Sequence, residues 1–147
     1  MPNAISPASS PVPTELLAAY KAARFRVDTN PPIYLYVDQP CEALKVFYQT
    51  TNHQQFAFIT AFNPKGELSS DDKNLSLQQA LIKRVKALNL SFIEGLGEDI
   101  EGLWPGEASL YIPAISLKLA KQLGAEFEQN AIVYGDADAI PSLVVLR

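Results

Sequence analysis

The stretch FAFITAFNPKGE, residues 56–67, contains the strongest predicted β-strand of the chain. Its residues up to Phe62 are apolar on both of the faces that alternate along a strand, which is typical of a central strand covered on both sides. The strand ends at Asn63 and Pro64, where the chain must turn. Asn63 is therefore either part of an ordinary strand exit or part of a working site.

The residues around this strand predict an α+β fold. Helices are predicted from Thr14, from Ser69 or Ser70 to Asn89, and from Ser116 to Gly124. The other predicted strands are residues 33–37, 90–96, 108–115, 130–136 and 142–146. Residues 41–53 are ambiguous and are compatible with a short helix. We expect one mostly antiparallel or mixed sheet of about five to six strands, with helices packed mainly on one face.

The chain of 147 residues fits a single domain. Residues 1–13 contain four prolines and three serines, and we interpret them as a disordered Pro/Ser-rich leader. The single α+β domain then covers residues 14–147. The start of the chain lacks the basic and apolar regions of a secretory signal, and no stretch is long and apolar enough to span a bilayer. We therefore predict a soluble cytoplasmic protein.

The composition of the chain makes several kinds of binding site improbable. The net charge of −4 gives no basic excess, so general nucleic-acid binding is not expected. One cysteine excludes an intrachain disulfide, and one cysteine with one histidine makes a zinc site improbable. The acidic loop EGLGEDIEG, residues 94–102, could attract a divalent cation but does not match an EF-hand. We expect a solvated loop there, and we predict no metal and no cofactor.

Side-chain alternation assigns polar groups to strand faces. In the strand 108–115, Ser109 and Tyr111 lie on the face opposite Leu110. By the same alternation, Tyr34 lies on the face of its strand opposite Leu35, and Tyr134 lies on the face of its strand opposite Val133. If these faces coincide, the sheet has a tyrosine-rich side that suits a ligand. If they do not, the tyrosines are ordinary parts of a half-exposed sheet.

Asn74 is the second amide of interest. It lies on the inward stripe of the predicted second helix, one turn from its start, and an inward amide needs hydrogen-bond partners. Because Asn63 ends the strand that leads into this helix, the two amides are expected to lie close together. They either brace the intervening loop or form a polar pocket beside a helix N-terminus, which would favour an anion.

Glu107 is the best candidate for acid or base catalysis. It opens a predicted strand directly after a glycine-rich loop and lies on the polar face of that strand. The alternative is a structural ion pair with Arg24 or Arg26. Trp104, just before this strand, is either an anchor at the edge of the core or a surface on which a ligand stacks.

Several segments together resemble a small bacterial family known as domain of unknown function 3293. The resemblance rests on FITAFNPKGELSSDDKN, LWPGEAS and LGAEFEQNAIVYG, and it extends over roughly residues 14–136. The family pattern corresponds here to Thr60, Ala61, Asn63 and Pro64, then Asn74, then Trp104, Glu107 and Ser109, and finally Phe127, Gln129 and Asn130. Glu128 stands where the resemblance leads us to expect a glycine. The resemblance implies a site and no particular reaction.

Two functional hypotheses follow. The first is a non-enzymatic binding or regulatory domain that recognises a small polar ligand or a protein partner. Its predicted ligand-binding residues are Asn63, Asn74, Ser109, Gln129, Asn130 and Trp104. The second is a small enzyme that uses Glu107 as general acid or base, with Asn63, Asn74 and Gln129 as orienting groups. Both hypotheses require Asn63, Asn74, Glu107 and Gln129 to cluster in space.

Overall fold

A computed structural model describes residues 12–147. The predicted leader, residues 1–13, lies outside the described residues apart from Val12 and Pro13. The first helix begins at Thr14, as predicted, but Pro13 rather than Thr14 occupies the N-cap position. Within residues 12–147, no helix combines the length and the apolar composition that crossing a membrane would need.

Residues 12–147 form four helices and seven strands. The helices are α1 (Thr14–Ala22), α2 (Glu42–Thr51), α3 (Asp71–Ala87) and α4 (Leu117–Glu126). The strands are β1 (Arg24–Val27), β2 (Ile33–Leu35), β3 (Phe56–Thr60), β4 (Ile93–Glu98), β5 (Glu107–Pro113), β6 (Ala131–Gly135) and β7 (Ser142–Val145). A short 3-10 turn, Pro64–Gly66, follows β3. The ambiguous segment 41–53 thus contains helix α2.

All seven strands form one sheet in the order β2-β1-β4-β5-β3-β6-β7, and every neighbouring pair is antiparallel. The α+β class is confirmed, and β3 is a central strand between β5 and β6. The sheet has seven strands, one more than the upper number predicted. The additional strand is β1, which follows α1 almost directly. Its sequence RFRV alternates charged and apolar residues, which is the pattern of a strand with one buried face.

The core has two parts, one on each face of the sheet. On the first face, Leu44 and Tyr48 of α2 pack with Phe56 and Phe58. The second face carries the other large cluster, in which α3 and α4 pack on strands β3, β5 and β6. The prediction of helices mainly on one face is therefore wrong. The apolar residues on both faces of β3 require cover on both sides.

The three tyrosines do not all lie on one face of the sheet. Tyr111 is paired with Phe58, and Tyr134 is paired with Ala57, the neighbour of Phe58 on β3. Directly paired residues lie on the same side of an antiparallel sheet, so the two tyrosines lie on opposite sides. Tyr111 is almost completely buried whereas Tyr34 is 41% exposed. The predicted tyrosine-rich surface does not exist, because alternation within a strand does not fix the register between strands.

Two glycines of β4 provide a matched test of the sheet packing. A methyl group on Gly95 would overlap the carbonyl oxygen of Arg26 and lie 2.9 Å from the Phe58 ring. On Gly97 it would lie 3.7 Å from the nearest atom, Phe25 Cδ1, which is ordinary contact. We expect Gly95→Ala to lower the free energy of unfolding by about 1 to 3 kcal/mol or more.

Gly97→Ala is the control, since it lies two residues away on the same face of the same strand. Its stability should stay within about 0.5 kcal/mol of the wild type, as for a substitution that meets no obstacle. Urea unfolding followed by circular dichroism measures both. Equal losses for the two variants would show that the close approach of β1 and β4 at Gly95 is not a constraint.

Candidate functional site

The exit from β3 is held in an unusual backbone conformation. Asn63 has φ 51° and ψ 62°, and Lys65 and Gly66 also have positive φ values. Asparagine is one of the few residue types other than glycine that adopts this left-handed conformation at modest cost. Before the turn, Thr60 Oγ1 donates to the carbonyl of Ala108 at 2.7 Å and accepts from the Phe62 amide at 3.0 Å. The strand exit is therefore fixed by side chains as well as by the sheet.

Asn63 and Asn74 bond directly to each other. The Asn63 backbone N–H donates to Asn74 Oδ1 at 2.8 Å, and Asn74 Nδ2 donates to Asn63 Oδ1 at 3.0 Å. The Ser69 backbone N–H donates to the same Asn63 oxygen at 3.0 Å. Both amides are buried, so these bonds satisfy groups that water cannot reach. The predicted bracing of the loop between them is present.

Gln78 extends this brace by one turn of α3. Its Oε1 accepts from the backbone N–H of Ala61 at 3.0 Å, and its side chain is buried beside Asn74 on the inward stripe. The sequence analysis did not single out Gln78. The available signal was its position four residues after Asn74, which places both amides on one face of the helix.

Glu107 accepts a hydrogen bond from the side-chain nitrogen of Asn63. Asn63 Nδ2 donates to Glu107 Oε2 at 2.7 Å. Burial raises the pKa of the Glu107 carboxyl above its ordinary value, and the hydrogen bond from Asn63 opposes this by favouring the ionised form. The carboxyl therefore lies in a poorly solvated position with one identified donor among residues 12–147.

The predicted alternative, an ion pair of Glu107 with Arg24 or Arg26, is wrong. Arg24 pairs with Glu98 at 3.0 Å, and Arg26 pairs with Asp28 at 2.7 Å. Glu107 is opposite Gly97 in the sheet, and Arg24 is opposite Glu98. Consecutive residues of β4 point to opposite faces, so Glu107 and the arginines lie on different sides of the sheet.

Gln129, Asn130 and Ser109 surround the same region in different ways. Gln129 Nε2 donates to the carbonyl of Phe62 at 3.1 Å and to that of Phe127 at 3.3 Å. Asn130 Nδ2 donates to the Tyr20 hydroxyl at 3.1 Å. Ser109 Oγ donates to the backbone carbonyl of Glu107 at 2.9 Å. Asn63, Asn74, Glu107 and Gln129 thus cluster as predicted.

Two adjoining pockets lie at this cluster, on the first face of the sheet. The inner pocket, of about 60 Å³, lies over β3 and β5, and the outer pocket, of about 190 Å³, lies between α1, the 63–66 turn and the segment before β5. Five residues line both pockets: Tyr20, Asn63, Gly66, Trp104 and Glu107. Ser109, Gln129 and Gly97 line the inner pocket only.

Two predicted ligand-binding residues do not line either pocket. Asn74 bonds to Asn63 and Ser69 behind the pocket wall, and Asn130 bonds to Tyr20 and to Arg147. The N-terminus of α3 is capped by Ser70, whose hydroxyl accepts from the Lys73 amide. The anion pocket considered beside this terminus is therefore not supported, since the pocket wall carries a carboxylate instead.

Tyr20 and Gly66 are pocket residues that the sequence analysis missed as functional. A methyl group on Gly66 would lie 2.7 Å from both Asn130 Nδ2 and a side-chain carbon of Leu16, so the close approach of α1 requires glycine here. No pattern in the sequence indicates that α1 returns to this turn. In the acidic loop, Asp99 accepts from the amides of Glu101 and Leu103. Within residues 12–147, no three His, Cys, Asp or Glu side chains form a potential metal cluster.

The Asn63–Asn74 pair predicts a stability cost for truncating Asn74. Asn74→Ala leaves the buried Asn63 N–H without its acceptor, which should lower the free energy of unfolding by about 1 to 3 kcal/mol. Gln79→Ala is the matched control, because Gln79 is an exposed amide on the same helix. Urea unfolding of both variants provides the comparison. A loss for Asn74→Ala no larger than that of the control would contradict the brace.

The raised pKa of Glu107 predicts a pH-dependent stability. A carboxyl whose pKa is higher in the folded than in the unfolded state favours folding at low pH, and this contribution is lost as pH rises through the folded-state pKa. Glu107→Gln should therefore be more stable than the wild type at pH values above this pKa, with the difference shrinking on acidification. Thermal unfolding across pH measures this. A Glu107→Gln variant whose disadvantage grows as pH rises would indicate a stabilising charge partner.

Comparison with known proteins places the site in a family. No curated protein sequence and no solved structure matches the chain. A family model described as "Protein of unknown function (DUF3293)" matches residues 59–132. The match runs from the end of β3 to the start of β6 and so contains Asn63, Asn74, Glu107 and Gln129, but not Tyr20. Since it covers half of the chain, this protein belongs to the DUF3293 family.

Proposed function

We propose that this domain binds a small polar ligand in the two adjoining pockets, with Glu107 as the central polar contact. The observation that carries the proposal is the position of Glu107, which lines both pockets and has no cationic partner among residues 12–147. Glu107 is half-buried, and a carboxylate that is partly removed from water without a counter-charge costs folding free energy. Such a cost persists in proteins mainly where a group serves a binding or catalytic role.

The pocket has the mixed composition of small-molecule sites. Its walls include the aromatic side chains of Tyr20, Phe25, Phe58, Phe62 and Trp104, and its few polar groups converge near Glu107. Sites of this kind use apolar walls for affinity and a few placed polar groups for orientation. The combined space suits a small molecule or a single side chain rather than a large cofactor.

The residues take different roles in this proposal. Glu107, Gln129, Ser109 and Trp104 contact the ligand. Asn63 lines the pocket and also orients Glu107 through its 2.7 Å hydrogen bond. Asn74 and Asn130 are positioning residues, because their amides hold Asn63 and Tyr20 from outside the pocket.

A second candidate function is catalysis of proton transfer by Glu107. The observation that favours it is the raised pKa of this carboxyl, since a general acid or base works best when its pKa approaches the operating pH. Nucleophilic catalysis has no such support. Ser109 Oγ donates to a backbone carbonyl, and no base lies beside it among the contacts of the described residues.

A thermal-shift screen against metabolite classes tests the binding function. A ligand that binds only the folded state at one hundred times its dissociation constant adds about 2.7 kcal/mol to the free energy of unfolding, which is measurable as a higher Tm. We expect at least one class to raise the Tm of the wild type. Gly97→Val, which adds a side chain to the inner pocket, should abolish the shift.

Gly97→Ala is the control for general effects at this position. It adds one methyl group where the structure has room, so it should retain most of the shift. A shift that survives Gly97→Val unchanged would place the binding site elsewhere. No shift with any class would contradict the small-molecule function.

Proton nuclear magnetic resonance of each positive compound separates binding from catalysis. A binding domain leaves the compound chemically unchanged over hours. Conversion by the wild type that Glu107→Gln abolishes, while the thermal shift remains, would establish Glu107 as a catalytic residue and replace the binding function.

A further inference from the structure

We infer that the group bound against Glu107 is a protonated nitrogen: an ammonium, amidinium or guanidinium group. The inference rests on the proposed function and specifies its ligand class. It depends on which hydrogen-bonding atoms of the pocket have partners, on where the neighbouring cations are committed, and on the aromatic walls.

The pocket presents acceptor atoms that need donors. Glu107 Oε2 accepts from Asn63, whereas Glu107 Oε1 has no donor among the hydrogen bonds of residues 12–147. Gln129 is 7% exposed, and its Nε2 is used twice by backbone carbonyls while its Oε1 has no donor in the same part of the chain. Both residues line the inner pocket. A ligand that satisfies this pair must supply at least two N–H or O–H donors.

The side-chain amides of the two neighbouring asparagines already make hydrogen bonds. Both amide groups of Asn63 and Asn74 are used within the brace and toward Glu107. Tyr20 accepts from Asn130 through its hydroxyl oxygen, which leaves the hydroxyl hydrogen for a ligand acceptor. Among the hydrogen bonds of residues 12–147, the pocket side chains therefore leave the acceptors Glu107 Oε1, Gln129 Oε1 and Ser109 Oγ and the donors of the Tyr20 hydroxyl and the Trp104 indole, and one of the acceptors is a carboxylate.

Four cationic side chains on the elements beside the pocket bond to groups other than Glu107. Lys65, on the turn beside the pocket, lies 3.6 Å from Glu128, and Arg147 donates to Asn130 at 3.0 Å. Arg24 and Arg26 lie on the other side of the sheet with Glu98 and Asp28. Among the residues that line the two pockets, Tyr20 is the only other titratable side chain. A cationic ligand would thus be the partner that the Glu107 carboxylate lacks.

The walls reinforce a preference for positive charge. Tyr20 and Trp104 line both pockets beside Glu107, and aromatic faces attract ammonium and guanidinium groups. An anion would meet the carboxylate at close range, and like charges in such a site are unfavourable. The inner pocket of about 60 Å³ fits a head group, and the outer pocket of about 190 Å³ accommodates the part that carries it.

A protonated nitrogen can come from a free small molecule or from a lysine or arginine side chain of a peptide. The recognised chemistry is the same in both cases. The rim distinguishes them, because Leu68 in the outer pocket is 77% exposed and would contact residues that flank an inserted side chain. We expect a free cation as the ligand, because Glu107 and Gln129 both line the inner pocket. Peptide binding is measured in a separate experiment.

Isothermal titration calorimetry with probes of one shape and different charge tests the inference. The probes are benzylammonium and benzamidinium as cations, benzyl alcohol as the neutral analogue and phenylacetate as the anion. We expect the wild type to bind a cation at least tenfold more tightly than the neutral or anionic probe. Glu107→Gln, which keeps the shape and removes the charge, should lose at least tenfold of the cation affinity.

The pH dependence gives a readout that does not need a variant. Cation affinity should rise as the pH rises through the pKa of Glu107, which burial raises above its ordinary value, and then become constant while the probes stay protonated. Burial also raises the pKa of Tyr20 above the ordinary value of a tyrosine, so its hydroxyl stays neutral through this rise. Affinity that falls with rising pH would mean that Glu107 binds as a neutral hydrogen-bond donor, which overturns the inference.

Other outcomes separate the inference from the proposed function. Tighter binding of phenylacetate or benzyl alcohol than of either cation, blocked by Gly97→Val, would retain the binding pocket and overturn its cationic ligand class. No binding of any probe at millimolar concentration, together with no hit in the thermal-shift screen, would overturn both. An arginine or lysine peptide that binds at least tenfold more tightly than N-acetyl-arginine amide would support the same chemistry with a protein as its source.

Discussion

The side chain of Asn63 is the interaction on which the site depends. The side-chain oxygen of Asn63 accepts from Asn74 and Ser69, and its side-chain nitrogen donates to Glu107. The backbone N–H of Asn63 donates to Asn74. The residue also occupies a left-handed backbone conformation that ends β3. Asparagine meets both demands, because it tolerates this conformation and carries a donor as well as an acceptor. Aspartate would keep the acceptor but would place a second carboxylate against Glu107.

The sheet explains why a carboxylate can be held there at all. The second face is filled by α3 and α4, whereas the first face carries α2 at one end and approaches α1 through Tyr20 at the other. Glycine at position 97, opposite Glu107, leaves space above the sheet between these helices. The fold thereby encloses a small volume next to an acidic group, while Asn63 fixes the position of that group.

The sequence predicted what depends on local periodicity and missed what depends on strand register. Alternation and helical spacing were sufficient for β3, for the pair β4–β5, and for the inward position of Asn74. Whether Arg24 or Arg26 could pair with Glu107 depended on which residues lie opposite each other, and a shift of one residue reverses the face. Strand β1 was missed because it has only four residues and only one residue separates it from α1.

Contacts between segments distant in the sequence could not be predicted either. Gly124 was predicted to end α4, but it lies inside the helix, where a methyl group would come within 2.8 Å of Ile132. The left-handed residue near that end is instead Glu128, at φ 56°, which explains why a glycine would be expected at this position. Tyr20 bonds to Asn130 at the site, although the two residues are 110 positions apart in the sequence. No local pattern encodes such a contact.

Glu107 is a half-buried carboxyl whose only polar partner in the described chain is Asn63. The most direct test is a pH titration of the Glu107 side-chain carboxyl carbon by nuclear magnetic resonance in the ligand-free protein. We expect a titration midpoint above that of an ordinary glutamate, because burial outweighs the hydrogen bond from Asn63. A midpoint at or below the ordinary value would show that a cation or further donors already compensate the carboxylate, so that Glu107 is not waiting for a cationic ligand.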